Sequence, residues 1–119
     1  MATARQAHGT FGEDQAARWY QARGYVVLDR NWRAGRTGEI DLVLGATGLV
    51  VFCEVKARSS DAFGGPFEAV TPAKRARIRR VAAAWLAAHP AGRGDGGRDV
   101  RFDVAGVRAG KVDVVEAAF

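Results

Sequence analysis

The sequence predicts an α/β protein in which two helices cover a central mixed sheet. Three observations carry that expectation. Apolar residues recur at helical spacing in two segments, one after Thr10 and one after Thr71. Five segments rich in strand-forming residues lie between and after them, in the order α-β-β-β-α-β-β. Most connections are short, which favours one compact domain over two in a chain of 119 residues.

Residues Met1 to Gly9 read as a flexible arm ahead of that domain. Thr10 then reads as a helix N-cap, and Glu13 three residues later completes a capping box. Ala16, Ala17, Trp19 and Tyr20 form an inward stripe, and Gly24 suits a C-cap, so the first helix is expected over Phe11 to Arg23. A strand begins at Tyr25-Val26-Val27-Leu28, continues into the basic run from Asp29 to Thr37, and turns there. Gly38 to Leu44 and Leu49 to Ala57 make two further strands around Gly45–Gly48. That connection is too short for a parallel crossover, so the pair is an antiparallel hairpin. Side chains alternate along a strand, which puts Asp41 on a face with Glu39 and Val43, and Glu54 on one with Val50, Phe52 and Lys56.

Ser59 to Val70 holds Gly64, Gly65 and Pro66 and reads as a loop. Thr71 and Pro72 are a strong helix start, as N-cap and first helical residue. This second helix is expected to reach Ala88, with Ile78, Val81, Ala82, Trp85 and Leu86 facing inward and Pro90 stopping it. A glycine-rich loop follows, and then a final hairpin, Val100 to Val107 and Lys111 to Val115, around Gly106–Gly110.

Composition excludes several classes. A hydrophobic share of 48% is incompatible with disorder throughout. Cys53 is the only cysteine, so no internal disulfide forms; set in an apolar run, it reads as a buried thiol. It makes no ligand cluster with the two histidines, which argues against zinc. No segment has the length and apolarity to span a bilayer, and the N-terminus lacks a signal-peptide core, so a cytoplasmic protein with no membrane partner is expected. Eighteen Lys and Arg against 13 Asp and Glu give a formal charge of +5 and favour a polyanionic partner.

The chemistry concentrates between Gly38 and Lys56. Asp41, Glu54 and Lys56 lie on adjacent expected strands and can converge. Two carboxylates are hard ligands for Mg²⁺ or Mn²⁺, and the backbone carbonyl of Val55 can add a third oxygen. A lysine beside them can orient water or stabilise charge growing on a phosphate. The competing account is a cross-strand ion-pair set on a solvated face. Glu39 is a candidate third carboxylate or a partner for Arg36 or Lys56. Glu13 is a capping residue or a carboxylate reaching the site from the first helix. Lys74, Arg75, Arg77, Arg79 and Arg80 near a helix start call for a compensating anion, and Arg30, Arg33 and Arg36 add positive charge ahead of the acidic strand. The expected nucleic-acid contacts are Arg30, Arg33, Arg36, Lys74, Arg75 and Arg77. Arg101 and Asp103 share a face on a late strand and read as a structural ion pair.

These residues also carry a resemblance. Gly12-Glu13, Gly24-Tyr25, Asn31-Trp32-Arg33, Gly38-Glu39-Ile40-Asp41-Leu42, the run from Val51 to Arg58, Val70-Thr71-Pro72-Ala73-Lys74, Arg101-Phe102-Asp103-Val104 and Ala118-Phe119 together resemble the YraN family, also called UPF0102, over nearly the full length. That family is similar to archaeal Holliday-junction resolvases. The resemblance implies a restriction-endonuclease-like fold and a nuclease site of the PD-(D/E)xK type: Asp41, Glu54 and Lys56 match the motif, and Glu13 is the helix carboxylate. Ile40 stands where the motif's proline would be, a position that is not a ligand. The function implied is a Mg²⁺- or Mn²⁺-dependent endonuclease acting on DNA, branched or distorted, with room for a homodimer. A non-catalytic nucleic-acid-binding module and a protein-interaction scaffold are the alternatives.

Overall fold

Every strand of the five-stranded sheet lies beside its neighbour in sequence. The computed structural model describes residues 4–57, 70–90 and 98–119, with residues 4–10 as backbone alone. Helix α1 (Ala4–Gln21) leads into β1 (Val26–Ala34), β2 (Gly38–Ala46) and β3 (Leu49–Ala57). Helix α2 (Pro72–Ala88) then carries the chain to β4 (Asp99–Arg108) and β5 (Lys111–Val115). β3 and β4 are parallel, as a helical crossover permits, and the other three pairings are antiparallel. This five-stranded mixed sheet with two flanking helices is a restriction-endonuclease-like α/β fold. Among the described residues no helix is long and apolar enough to cross a membrane.

Local chemistry sets most boundaries where the sequence places them. Thr71 Oγ1 accepts from the Lys74 N–H at 3.2 Å and Pro72 opens α2, which ends at Ala88. The β4–β5 turn is tighter than expected: Ala109 and Gly110 have φ of 49° and 79°, and β4 runs on to Arg108. Helix α1 differs more. It starts at Ala4, not Phe11, because Ala4, Arg5, Gln6 and Ala7 are strong helix formers that carry the helix upstream. Thr10 and Glu13 are therefore interior positions, and the expected capping box is not a helix start. The expected loops, Ser59 to Val70 and Ala91 to Gly97, lie outside the described residues except for Val70.

Each face of the sheet has its own core. On the α2 face, Ile40, Val43, Val50, Phe52 and Val104 pack against Ile78, Val81, Ala82 and Trp85. On the α1 face, Leu42, Leu44, Val51, Cys53, Ala105 and Val107 pack against Ala16, Ala17 and Tyr20. The edge of Trp85 meets Phe52, whose ring stacks on Phe102. Phe102 in turn stacks on Phe119, and the Ala118 N–H donates to the Phe102 carbonyl at 2.7 Å, which ties the last residues to β4.

One charged group is sealed in this frame. Asp103 is fully buried and saturated with donors. Arg101 forks onto it through Nε at 2.8 Å and Nη2 at 2.9 Å, the Tyr20 hydroxyl donates at 2.7 Å, and the Ala117 N–H donates at 3.0 Å. The network joins β4 to α1 and to the segment after β5, so the ion pair is structural. Removing one member of a buried pair strands the other's charge. Arg101→Ala should lower the free energy of unfolding by about 3 kcal/mol or more, and Arg101→Lys should recover little of it because an ammonium lacks the two-pronged geometry. Urea denaturation of the two variants beside the parent checks both statements.

Candidate active site at the seam between two strands

Strand β2 breaks the rule that residues two apart share a face. Ile40 and Val43 pack towards α2, whereas Leu42 and Leu44 pack towards α1. The irregularity falls at Asp41. The β2–β3 ladder ends at the Leu42–Cys53 pair, and beyond it the Val55 N–H donates to Asp41 Oδ2 at 2.8 Å instead of continuing the ladder. Strand β1 follows the same kink. Arg30 pairs with Leu42 and Trp32 with Ile40, and Asn31 between them takes φ of 50°, a conformation asparagine tolerates better than most residues. The expectation that Asp41 shares a face with Val43 is therefore corrected. Its carboxylate lies in the seam, because a side chain there replaces a missing backbone acceptor.

Glu54 behaves as strand alternation dictates. It is buried, stands on the α2 face after Phe52, and has Lys56 beside it. Its Oε1 is 3.4 Å from Lys56 Nζ and 2.8 Å from Lys74 Nζ. Lys74 was expected on the phosphate-binding surface, yet it points into the site. The sequence held the signal: Lys74 precedes Ile78, Val81 and Trp85 by 4, 7 and 11 residues, so it continues the buried stripe of α2 by one turn.

The charges are strongly coupled. Burial, then repulsion from Glu54, raises Asp41 from 3.8 to about 8; the Val55 N–H opposes this, and Glu13 and a hydrogen bond shared with Glu54 add to it. The Asp41–Glu54 pair thus keeps a proton to higher pH than a free carboxylate would. Burial, and then a hydrogen bond from Lys74, depress Lys56 despite the attraction of Glu54. Burial also pulls on Lys74, but its hydrogen bonds to Glu54 and Lys56 outweigh that and raise it. Of two ammonium groups on one carboxylate, the closer keeps its proton more firmly.

Glu13 reaches the same place from α1. Asn31 Nδ2 donates to Glu13 Oε2 at 2.9 Å, and Arg30 Nη2 lies 3.7 Å from that oxygen. Gly12 makes the approach feasible: a Cβ there would stand 2.9 Å from the Ala57 Cβ, so a side chain would push α1 off the end of β3. Asn31 was missed as a site residue, although a lone asparagine in a strand-forming run was the available hint.

The remaining candidates disperse. Glu39 is 3.4 Å from Arg33 Nη2 and pairs with it, rather than with Arg36 or Lys56. Arg30 is held by Asp14 at 2.7 Å. Arg75 donates to the Val70 carbonyl and lies over the Phe119 ring. Arg77 lays its stem against Gly38, at the β1–β2 turn that also carries exposed Arg36. Cys53 is fully buried, and burial pushes its thiol up, as fits a core filler.

Among the described residues no group of three or more His, Cys, Asp and Glu side chains is arranged to hold a metal. The pair Asp41 and Glu54 remains. Two hard oxygen donors, one of them pushed towards its protonated form by burial and then by the charge of the other, could hold a divalent cation with water completing its shell.

The matches to other proteins cover this whole arrangement. The model of the uncharacterised protein family UPF0102 matches residues 12–107, a span that includes Glu13, Asn31, Asp41, Glu54, Lys56 and Lys74. The chain belongs to UPF0102. A UPF0102 protein of Frankia alni is 54% identical over 101 residues, covering 85% of this chain and 80% of its own. One of Acidothermus cellulolyticus is 47% identical over 118 residues, covering 94% and 89%. One of Clavibacter michiganensis subsp. michiganensis is 46% identical over 121 residues and covers 98% of both.

The raised Asp41 has a consequence for stability. An acid whose folded pKa exceeds its unfolded value contributes stability that is complete below the unfolded value, here 3.8, and lost as pH rises through the folded one, here about 8. The metal-free protein should therefore lose stability across that window, on the order of 2 kcal/mol from this half-buried group after screening. Asp41→Asn keeps an acceptor for Val55 and should flatten that part of the profile, as read by denaturant unfolding at a series of pH values.

Proposed function

We propose that this protein is a divalent-metal-dependent nuclease that hydrolyses phosphodiester bonds in DNA, with branched or distorted DNA as the preferred form. The observation that carries this reading is the meeting of Asp41, Glu54 and Lys56 at the β2–β3 seam, with Glu13 close enough to add to the charge on Asp41. A kinship with archaeal Holliday-junction resolvases is part of the proposal, as is the match to the PD-(D/E)xK motif.

In this reading Asp41 and Glu54 hold Mg²⁺ or Mn²⁺, with the Val55 carbonyl as a further oxygen donor. A bound ion would acidify water and neutralise phosphoryl oxygens. Lys56 has its pKa depressed by burial and by Lys74, so it can take a proton from the attacking water more readily than an exposed lysine. In its charged form it can stabilise the phosphorane-like charge instead. Glu13, held by Asn31 and close enough to add to the charge on Asp41, would orient water there. Arg33, Arg36 and Arg77 surround the start of β2 and would contact phosphates, while Arg30 pairs with Asp14, Lys74 with Glu54 and Arg75 with the Val70 carbonyl. Asp41 is three residues from Gly38, about 10 Å along a strand, a reach of one to two nucleotides.

A second reading, a nucleic-acid-binding module without catalysis, is favoured by one feature: Glu54 is already paired with two lysines. Cleavage of labelled four-way-junction, fork and linear DNA with Mn²⁺ separates the two. Lys56→Ala should retain divalent-ion binding and lose turnover by about 100-fold or more. Asp41→Asn should weaken ion binding and turnover together. Cleavage by Lys56→Ala at the parent rate contradicts the mechanism. Salt-sensitive binding with no cleavage of any of these DNAs favours the module.

A further inference from the structure

We infer that Lys74 is a built-in cation that occupies Glu54 and competes with a divalent ion for it. The inference rests on the nuclease reading only in taking Glu54 as a metal ligand. Glu54 is 8% exposed, and a buried carboxylate needs a positive partner. Two lysines supply one, and they are not equivalent. Lys74 Nζ is 2.8 Å from Oε1, whereas Lys56 Nζ is 3.4 Å from the same oxygen. Lys74 is thus the principal counter-charge of the site.

Its place in the fold lets it leave. Lys56 is on β3 itself, two residues from Glu54 on the same strand, so its ammonium stays near that carboxylate. Lys74 belongs to another element, in the first turn of α2, with its backbone N–H fixed by Thr71. Its side chain is 30% exposed, and rotation about its four-carbon stem can carry the ammonium to solvent without moving the helix. A divalent ion binds a carboxylate oxygen at about 2.1 Å. With Lys74 still at hydrogen-bond distance from that oxygen, a dication and an ammonium would stand within a few ångströms in a poorly hydrated place. One excludes the other, so by linkage each weakens the other's hold on Glu54. Lys74 supplies the closest counter-charge to Glu54 in the metal-free site and sets a threshold for loading it, and once displaced its ammonium is free to meet a phosphate beside the ion.

The chain has three lysines, Lys56, Lys74 and Lys111, which makes the test direct. Mn²⁺ binding is measured by calorimetry on the parent, Lys74→Met and Lys74→Arg, with no nucleic acid present. Lys74→Met should bind about tenfold more tightly or better, and Lys74→Arg should stay near the parent because the charge remains. In the parent protein, acylation of Lys74 by a succinimidyl ester, followed by mass spectrometry, should speed up on adding Mn²⁺ while exposed Lys111 is unchanged. The second measurement needs no variant to fold. If the parent binds Mn²⁺ but Lys74→Met binds it no more tightly and Lys74 labelling does not rise, the competition is refuted and the metal site stands. If the parent and both variants bind no Mn²⁺, the nuclease reading falls as well.

Discussion

The hydrogen bond from the Val55 N–H to Asp41 is the constraint on which the site depends. In an uninterrupted hairpin that amide would pair with the β2 backbone, and Asp41 would point to one face of the sheet. Here the ladder stops after Leu42–Cys53 and a carboxylate fills the place of a carbonyl. The substitution opens the seam between β2 and β3, turns Ile40 to the α2 face, and leaves Asp41 aimed at Glu54. Asn31, in a left-handed conformation on β1, lets the neighbouring strand follow the kink and offers its amide to Glu13. The charges of Glu54 and, more weakly, Glu13 thereby act on Asp41, near the end of β3 where Gly12 lets α1 come close to Ala57.

That gathering has an electrostatic cost, and the protein offsets it in two ways. One is protonation, since Asp41 is held to about 8 by burial and by Glu54. The other is the pair of ammonium groups on Glu54. Both supply positive charge to buried carboxylates that water does not solvate. A solvated cross-strand ion pair would need neither, because water screens such charges at little cost. The buried Arg101–Asp103 pair makes a useful contrast. There the donors are complete, four hydrogen bonds reach one carboxylate, and nothing is left to bind.

Much of this was legible in the sequence. The element order, the Thr71–Pro72 start of α2 and the bounds of β3 and β5 follow from local rules, because caps, turns and two-residue alternation act over a few positions. Glu54 and Lys56 share a face for the same reason. What escaped was non-local or irregular. Alternation misassigns Asp41 because the break in β2 arises from its own carboxylate capturing an amide across the seam, which no pattern within β2 announces. Glu13 stayed divided between capping and the site because Thr10 precedes it at the right spacing, whereas the helix propagates from Ala4. Lys74 was grouped with its arginine neighbours by composition, though its helical phase placed it with Ile78, Val81 and Trp85. Phase along a helix tells more about a charged residue than the charges beside it.

The central claim is that Asp41 and Glu54 crowd one another in the seam, and the titration of Asp41 itself tests it most directly. With the aspartate and glutamate side chains labelled with ¹³C, the Asp41 carboxyl resonance in metal-free protein is followed by NMR from acid to pH 10, in the parent and in Glu54→Gln. The account predicts a midpoint near about 8 in the parent and a clear fall in Glu54→Gln, where the repelling charge is gone. A midpoint near the free-carboxyl value of 3.8 in the parent, unmoved by the substitution, would contradict it.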